Sequence, residues 1–288
     1  MTPIRRQNIY LINNTQKIIK MKKLSFIAIA FATIAFASCG NKTAQGGATD
    51  SVPEKSFEQQ QIEASIKMHL DSISAEIGKL QQPAFLQEGS DGSIKLTKEE
   101  KQVKPEYLLS PSIAENATTL AEKYRALSAL GVDKRIANLY EMPIDDYKKA
   151  ITKLLAEIND PSFKVIEDGG NVYETTSVLY DEMEKNGRIN YFWQLAAASL
   201  VEELFVANQN SEKFLSTFND DAAANITFRI ILVLDAINRL KEYDPEIQPV
   251  AEALAPLDVL NAITVDELKS QLAEANDKII AARAALIK

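Results

Sequence analysis

His69 and Cys39 are the only imidazole and the only thiol in 288 residues, which sharply limits the chemistry open to the side chains. One His and one Cys cannot assemble a His-rich zinc site or a Cys/His nucleophile. Helical di-metal sites need paired Glu-x-x-His motifs, and His69 is followed by Leu70, Asp71 and Ser72. The nucleophile elbow, the phosphate-binding loop and the dinucleotide fingerprint are all missing from the sequence. No catalytic residue, cofactor or metal is therefore expected. Carboxylates remain. Asp145-Asp146 and Asp220-Asp221 stand where helices should begin, positions at which acids complement the helix dipole. Glu202-Glu203 falls inside an apolar stretch, and Glu203 borders the face of Trp193, Leu200 and Leu204, which makes it the best carboxylate for a buried polar role. In "INYFWQLAAASLVEELF" the spacing puts Trp193 in line with Ile189 and Leu200, a core position, while Tyr191 points the other way. Tyr191, Trp193 and Glu203 are the residues that would touch a ligand if a groove opened beside them.

Cys39 has a different setting. It closes the run "FIAIAFATIAFASCG", whose 14 uncharged residues from Leu24 to Ala37 would make a helix about 21 Å long, against a hydrocarbon core of roughly 30 Å. Lys20, Lys22 and Lys23 precede the run, and Ala37, Ser38 and Gly40 surround its end. A basic segment, an apolar segment and a small-residue cleavage zone make a secretory signal over residues 1–38. Met21-Lys22-Lys23-Leu24 is the more natural start for it, so residues 1–20 read as an upstream extension. Ala35-Phe36-Ala37 has the form of an ordinary signal peptidase site. Phe36-Ala37-Ser38-Cys39 resembles the lipobox of bacterial lipoproteins, in particular those of the Bacteroidota, although Phe36 replaces the aliphatic residue most lipoboxes carry. A single Cys in an exported chain has no disulfide partner, which favours Cys39 as the acylated first residue of the mature protein. The resemblance covers only Met21 to Gly40. It implies a diacylglycerol, usually with a third chain, and hence a stable anchor.

Removing residues 1–38 removes six basic side chains and no acid, leaving 26 basic and 40 acidic residues and a net charge of −14. Such a body repels phosphate backbones and anionic headgroups. Nucleic acid is excluded as a partner, and the membrane is reached through N-terminal acyl chains rather than a basic face. Residues 39–56 hold almost nothing bulky and should behave as a tether with a reach of about 23 Å. Lipoproteins of that phylum bound for the surface carry acids just after the Cys. Gly40 to Thr43 has none, so an outer-membrane lipoprotein facing the periplasm is the expectation, with exposure at the cell surface as the alternative. Asp50-Ser51-Val52 and Asp71-Ser72-Ile73 resemble the O-glycosylation triplets of the same group, making Ser51 and Ser72 candidate modification sites.

The elements that must position these residues are helical. From Phe57 the apolar spacing follows 3 and 4: Ile62, Ile66, Leu70, Ile73, Ile77 and Leu80 draw one stripe. Residues 83–111, rich in Pro and Gly, read as an irregular excursion with room for a strand pair. Ser112-x-x-Glu115 has the capping-box form and predicts a helix as far as Gly131, then a short one from Asp133 to about Glu141. Helices are also predicted from Pro143 to about residue 158, and over about 173–186, 188–208 and 219–243. One more should begin at Asp244-Pro245, and a last one, capped by Thr264-x-x-Glu267, should reach Lys288. The helix containing "ITFRIILVLDAINRL" is apolar on opposite sides and should lie centrally. The expectation is an all-α, multi-helix bundle of at least six helices, one domain over residues 57–288. For function it leaves three readings: a helical interaction or scaffold module with an envelope protein or glycan partner, a binder of an apolar or carbohydrate ligand between helices, and a glycan hydrolase using carboxylates alone.

Overall fold

Two long helices set the frame, α3 (Leu120–Leu139) and α6 (Ile189–Gln209). The computed structural model describes residues 61, 64, 65, 67, 68, 94–164, 176–242 and 244–287. Cys39, Ser51, His69, Ser72, the tether and most of the stripe from Ile62 to Leu80 lie outside the described residues, as does the excursion before Ile94. The other described helices are α1 (Lys98–Gln102), α2 (Ile113–Asn116), α4 (Asp145–Ile158), α5 (Thr176–Lys185), α7 (Ser211–Phe214), α8 (Asp220–Leu240), α9 (Gln248–Leu254), α10 (Val265–Glu274) and α11 (Asn276–Leu286), with 3-10 turns at Pro161–Phe163 and Ala255–Val259. Among the described residues there is no strand, and the fold is the all-α bundle the spacing predicts. No described helix is long and apolar enough to cross a membrane.

Side-chain contacts fix how the two long helices run. Tyr124 stacks on Tyr191, Arg125 bonds Gln194, the Ser128 hydroxyl donates to the Leu195 carbonyl, and Asp133 meets Glu202. The partners stay 67 to 69 residues apart along the contact, so α3 and α6 lie parallel. Parallel neighbours need a long crossover, and α4 and α5 occupy it. Ala129 and Ala137 on α3 and Ala197 and Ala198 on α6 are all fully buried.

α6 is the hub. It packs against α3, α5, α8, α10 and α11, and 13 of its 21 residues are buried. The sequence put α8 at that place. α8 is indeed buried on several sides, through Ile226, Ile230, Val233 and Ile237, but it touches fewer elements.

Three boundaries differ from the sequence expectation. Ser112 makes no cap, because its backbone is already helical (φ −64°, ψ −14°) and a cap residue needs extended geometry. The cap is Thr119, whose side chain accepts from the Glu122 amide while the Glu122 carboxylate reaches back to the Thr119 amide. Gly131 does not stop α3, since a single interior glycine costs only about 1 kcal/mol and the flanking Ala129, Leu130 and Val132 are core residues. α3 ends instead where Glu141 turns left-handed (φ 54°) and the Met142 amide bonds the Ala137 carbonyl. The last predicted helix is two, with a break at Ala275 between α10 and α11. Within 83–111, Thr97 and Glu100 form a second capping box that starts α1.

Candidate functional site

α6 carries Glu202 and Glu203 side by side, 0% and 2% exposed. Consecutive residues on a helix point about 100° apart, so the two carboxylates enter different interfaces and find different cations. Glu203 turns toward α8, where the Arg229 guanidinium lies 2.6 Å away and the Ser199 hydroxyl, one turn back, donates at 2.8 Å. The same carboxylate borders a small hollow lined by Leu200, Leu204, Phe218, Ile226 and Leu268.

Glu202 turns toward α3 and α11. Arg283 grips it with two hydrogen bonds of 2.7 Å each, a fork geometry suited to a carboxylate. The guanidinium also donates to the Tyr107 carbonyl at 3.1 Å and lies 3.9 Å over the Phe205 ring. Asp133, 0% exposed, faces Glu202 from α3, and its Oδ2 accepts from the Leu109 amide at 2.6 Å. Burial, and then the Glu202 charge, push the Asp133 carboxyl well above the ordinary carboxylate range. The roof of this cluster is the backbone from Tyr107 to Leu109, held further by the Tyr147 hydroxyl, which donates to the Leu109 carbonyl at 2.8 Å. Two neighbouring carboxyls are the complement a hydrolase uses. Here they lie beneath a backbone roof, shielded from water.

Tyr191 and Trp193 separate as the spacing predicts. Trp193 is 1% exposed and packs edge-to-face with Tyr180 and Phe192. Tyr191 is half-buried and stacks on Tyr124 with ring centres 4.8 Å apart, and its hydroxyl donates to Glu246 at 3.2 Å. Tyr124 in turn donates to Asp160 at 2.5 Å and accepts from Arg188 at 3.0 Å. Burial first, then the bond to Asp160, drive the Tyr124 phenol up. The outer acids behave as the dipole argument says: Asp145 and Asp146 open α4, and Asp220 opens α8 while accepting from the Val265 amide that begins α10, at 3.1 Å.

Asp133, Asp160, Arg229 and Arg283 were not legible as site residues, since each is a single charge whose partner lies far along the chain. Glu202 did leave a signal. Between Phe192 and Ala207 only Gln194, Ser199, Glu202 and Glu203 are polar, and a helix apolar on every side buries whatever acid it carries. Among the described residues, no three His, Cys, Asp or Glu side chains gather into a metal-binding set. Compared with protein-family models, with curated proteins and with solved structures, the chain finds no match.

Proposed function

We propose that the chain is a lipid-anchored lipoprotein of the bacterial cell envelope whose helical body works as an interaction or scaffold module. The observation that carries this is Cys39, the sole thiol, standing at the end of an apolar run that is too short to span a bilayer and is preceded by lysines. Acyl chains hold the protein at the outer membrane, facing the periplasm, and residues 39–56 let the body stand off the surface to meet a protein or glycan partner. The build of the body supports a scaffold. Its helices are cross-braced by the Glu202–Arg283 and Glu203–Arg229 pairs, and its large aromatic residues Trp193, Tyr124 and Phe214 are spent on the interior. The hollow beside Glu203 is lined almost wholly by apolar side chains, Leu200, Leu204, Phe218, Ile226 and Leu268, and has room for little more than water, far less than a ligand pocket.

Detergent phase partition with mass spectrometry of the N-terminal peptide tests the anchor. The native protein should enter the detergent phase with an acylated Cys39, and Cys39→Ala should move it to the aqueous phase with its helical circular dichroism intact. An unmodified Cys39 behind a Ser38 N-terminus overturns the lipoprotein reading. Chemical cross-linking in whole cells tests the scaffold role, with a discrete envelope partner as the expected result and its loss when the anchor is removed.

A further inference from the structure

Charge counting in the cluster under the Tyr107–Leu109 roof leaves a remainder. Asp133 and Glu202 are both 0% exposed, and the one guanidinium between them, Arg283, is committed to Glu202 by two 2.7 Å bonds while standing 4.0 Å from Asp133. Two ionised carboxylates would leave a net negative charge sealed from water, which is costly enough that a buried acid keeps a proton instead. Asp133 supplies the place for it. Its Oδ2 accepts from the Leu109 amide, whereas its Oδ1 is buried with no donor facing it, and an acceptor without a donor beside a second carboxylate is satisfied once it carries a hydrogen itself.

We infer that Asp133 holds a proton shared with Glu202, and that this proton latches the segment 103–112 over the cluster as a pH-sensitive cover. With the proton in place the cluster is neutral: one acid, one carboxylate and one guanidinium. Without it, two negative charges face each other, and the relief available is to let water in by lifting the roof. The roof is the part that can move. Lys104 and Glu106 are exposed and Tyr107 to Leu109 half-buried, and the segment is tied down by Arg283 at Tyr107, Asp133 and Tyr147 at Leu109, and Lys104 at the Tyr140 carbonyl. The other titratable groups facing the cluster are the phenols of Tyr107, Tyr140 and Tyr147, all raised by burial, so they stay neutral throughout and add no competing charge.

The sign follows from linkage. In the lifted state Asp133 is solvated and loses its proton near pH 4, and in the closed state it keeps the proton to higher pH. Lifting therefore becomes about tenfold more favourable for each pH unit above about 4, until the closed-state acid ionises too. Residue-resolved amide exchange on the full-length protein reads this at Leu109. The protection factor, which already divides out the intrinsic rise of exchange with pH, should fall about tenfold per unit in the native protein. It should be flat in Asp133→Asn, whose amide keeps an acceptor for Leu109 and offers a donor to Glu202. A flat profile in the native protein, or the same fall in both, overturns the inference. A second measurement needs no variant: the carboxyl carbon of Asp133 at pH 6 should have the NMR shift of a protonated acid. Ionised shifts at both Asp133 and Glu202, or a proton on Glu202 instead, overturn it.

Discussion

Replacing Arg283 with Met should destabilise the described body strongly. Met keeps most of the aliphatic stem that packs between α6 and α11, so the change isolates the guanidinium. That group makes two hydrogen bonds of 2.7 Å to Glu202 and one of 3.1 Å to the Tyr107 carbonyl, and lies over Phe205 at 3.9 Å. Bonds to charged groups contribute about 1.5–3 kcal/mol each, but they are not independent, and the better guide is what remains: a wholly buried carboxylate without its cation, a state that costs about 3–5 kcal/mol. For a body of this size about 2–4 °C of melting temperature accompanies each kcal/mol, so Arg283→Met should lower it by roughly 6–20 °C. Urea titration and thermal melts followed by circular dichroism measure both quantities. A loss under about 1 kcal/mol at neutral pH would mean that water reaches the pair and that the cluster is not the sealed site described above.

Two further outcomes test the helix boundaries. Gly131→Ala should stabilise the protein by about 0.5–1 kcal/mol, because an added Cβ meets nothing within 4 Å and the residue sits in the middle of α3; a loss of stability would mean that the glycine serves a bend. The Glu122 carboxylate accepts from the Thr119 and Thr118 amides and the Thr118 hydroxyl, led by the Thr119 bond, and these hold it down at about 2 from an ordinary 4.5. Its contribution is therefore present above pH 4.5 and lost as pH falls through 2, so Glu122→Gln should flatten the acid limb of the stability profile; an unchanged limb refutes the assignment.

Helix spacing was legible because 3- and 4-residue apolar steps survive any change of partner. Caps were legible only as candidates. Ser112-x-x-Glu115, Thr97-x-x-Glu100 and Thr119-x-x-Glu122 share one form, and which of them caps depends on the backbone before it, which local sequence does not encode. Gly131 misled for a related reason: a stop needs a left-handed residue, and Glu141 supplied it without being glycine, just ahead of Pro143. Trp193 and Tyr191 were separable from the sequence, because neighbours on one helix diverge by a fixed angle. The Glu202–Arg283 pair was not, since 81 residues lie between its members and neither one's neighbourhood names the other. Glu203 stood out as a buried carboxylate because it borders the face of Trp193, Leu200 and Leu204, and Glu202, one residue before it, is buried as well.

The position of Arg283 in the chain bears on how the protein is made. α11 follows the other described helices in order, yet it brings the cation that neutralises Glu202 and, through the Leu286 carbonyl, an acceptor for Arg125 on α3. α3 and α6 leave the ribosome well before it, and until α11 arrives their interface holds a buried acid with no counterion. Closing α3 on α6 before α11 emerges therefore carries the cost of an unpaired buried acid. In order of synthesis, then, the acid on α6 waits for its cation until α11 has been made.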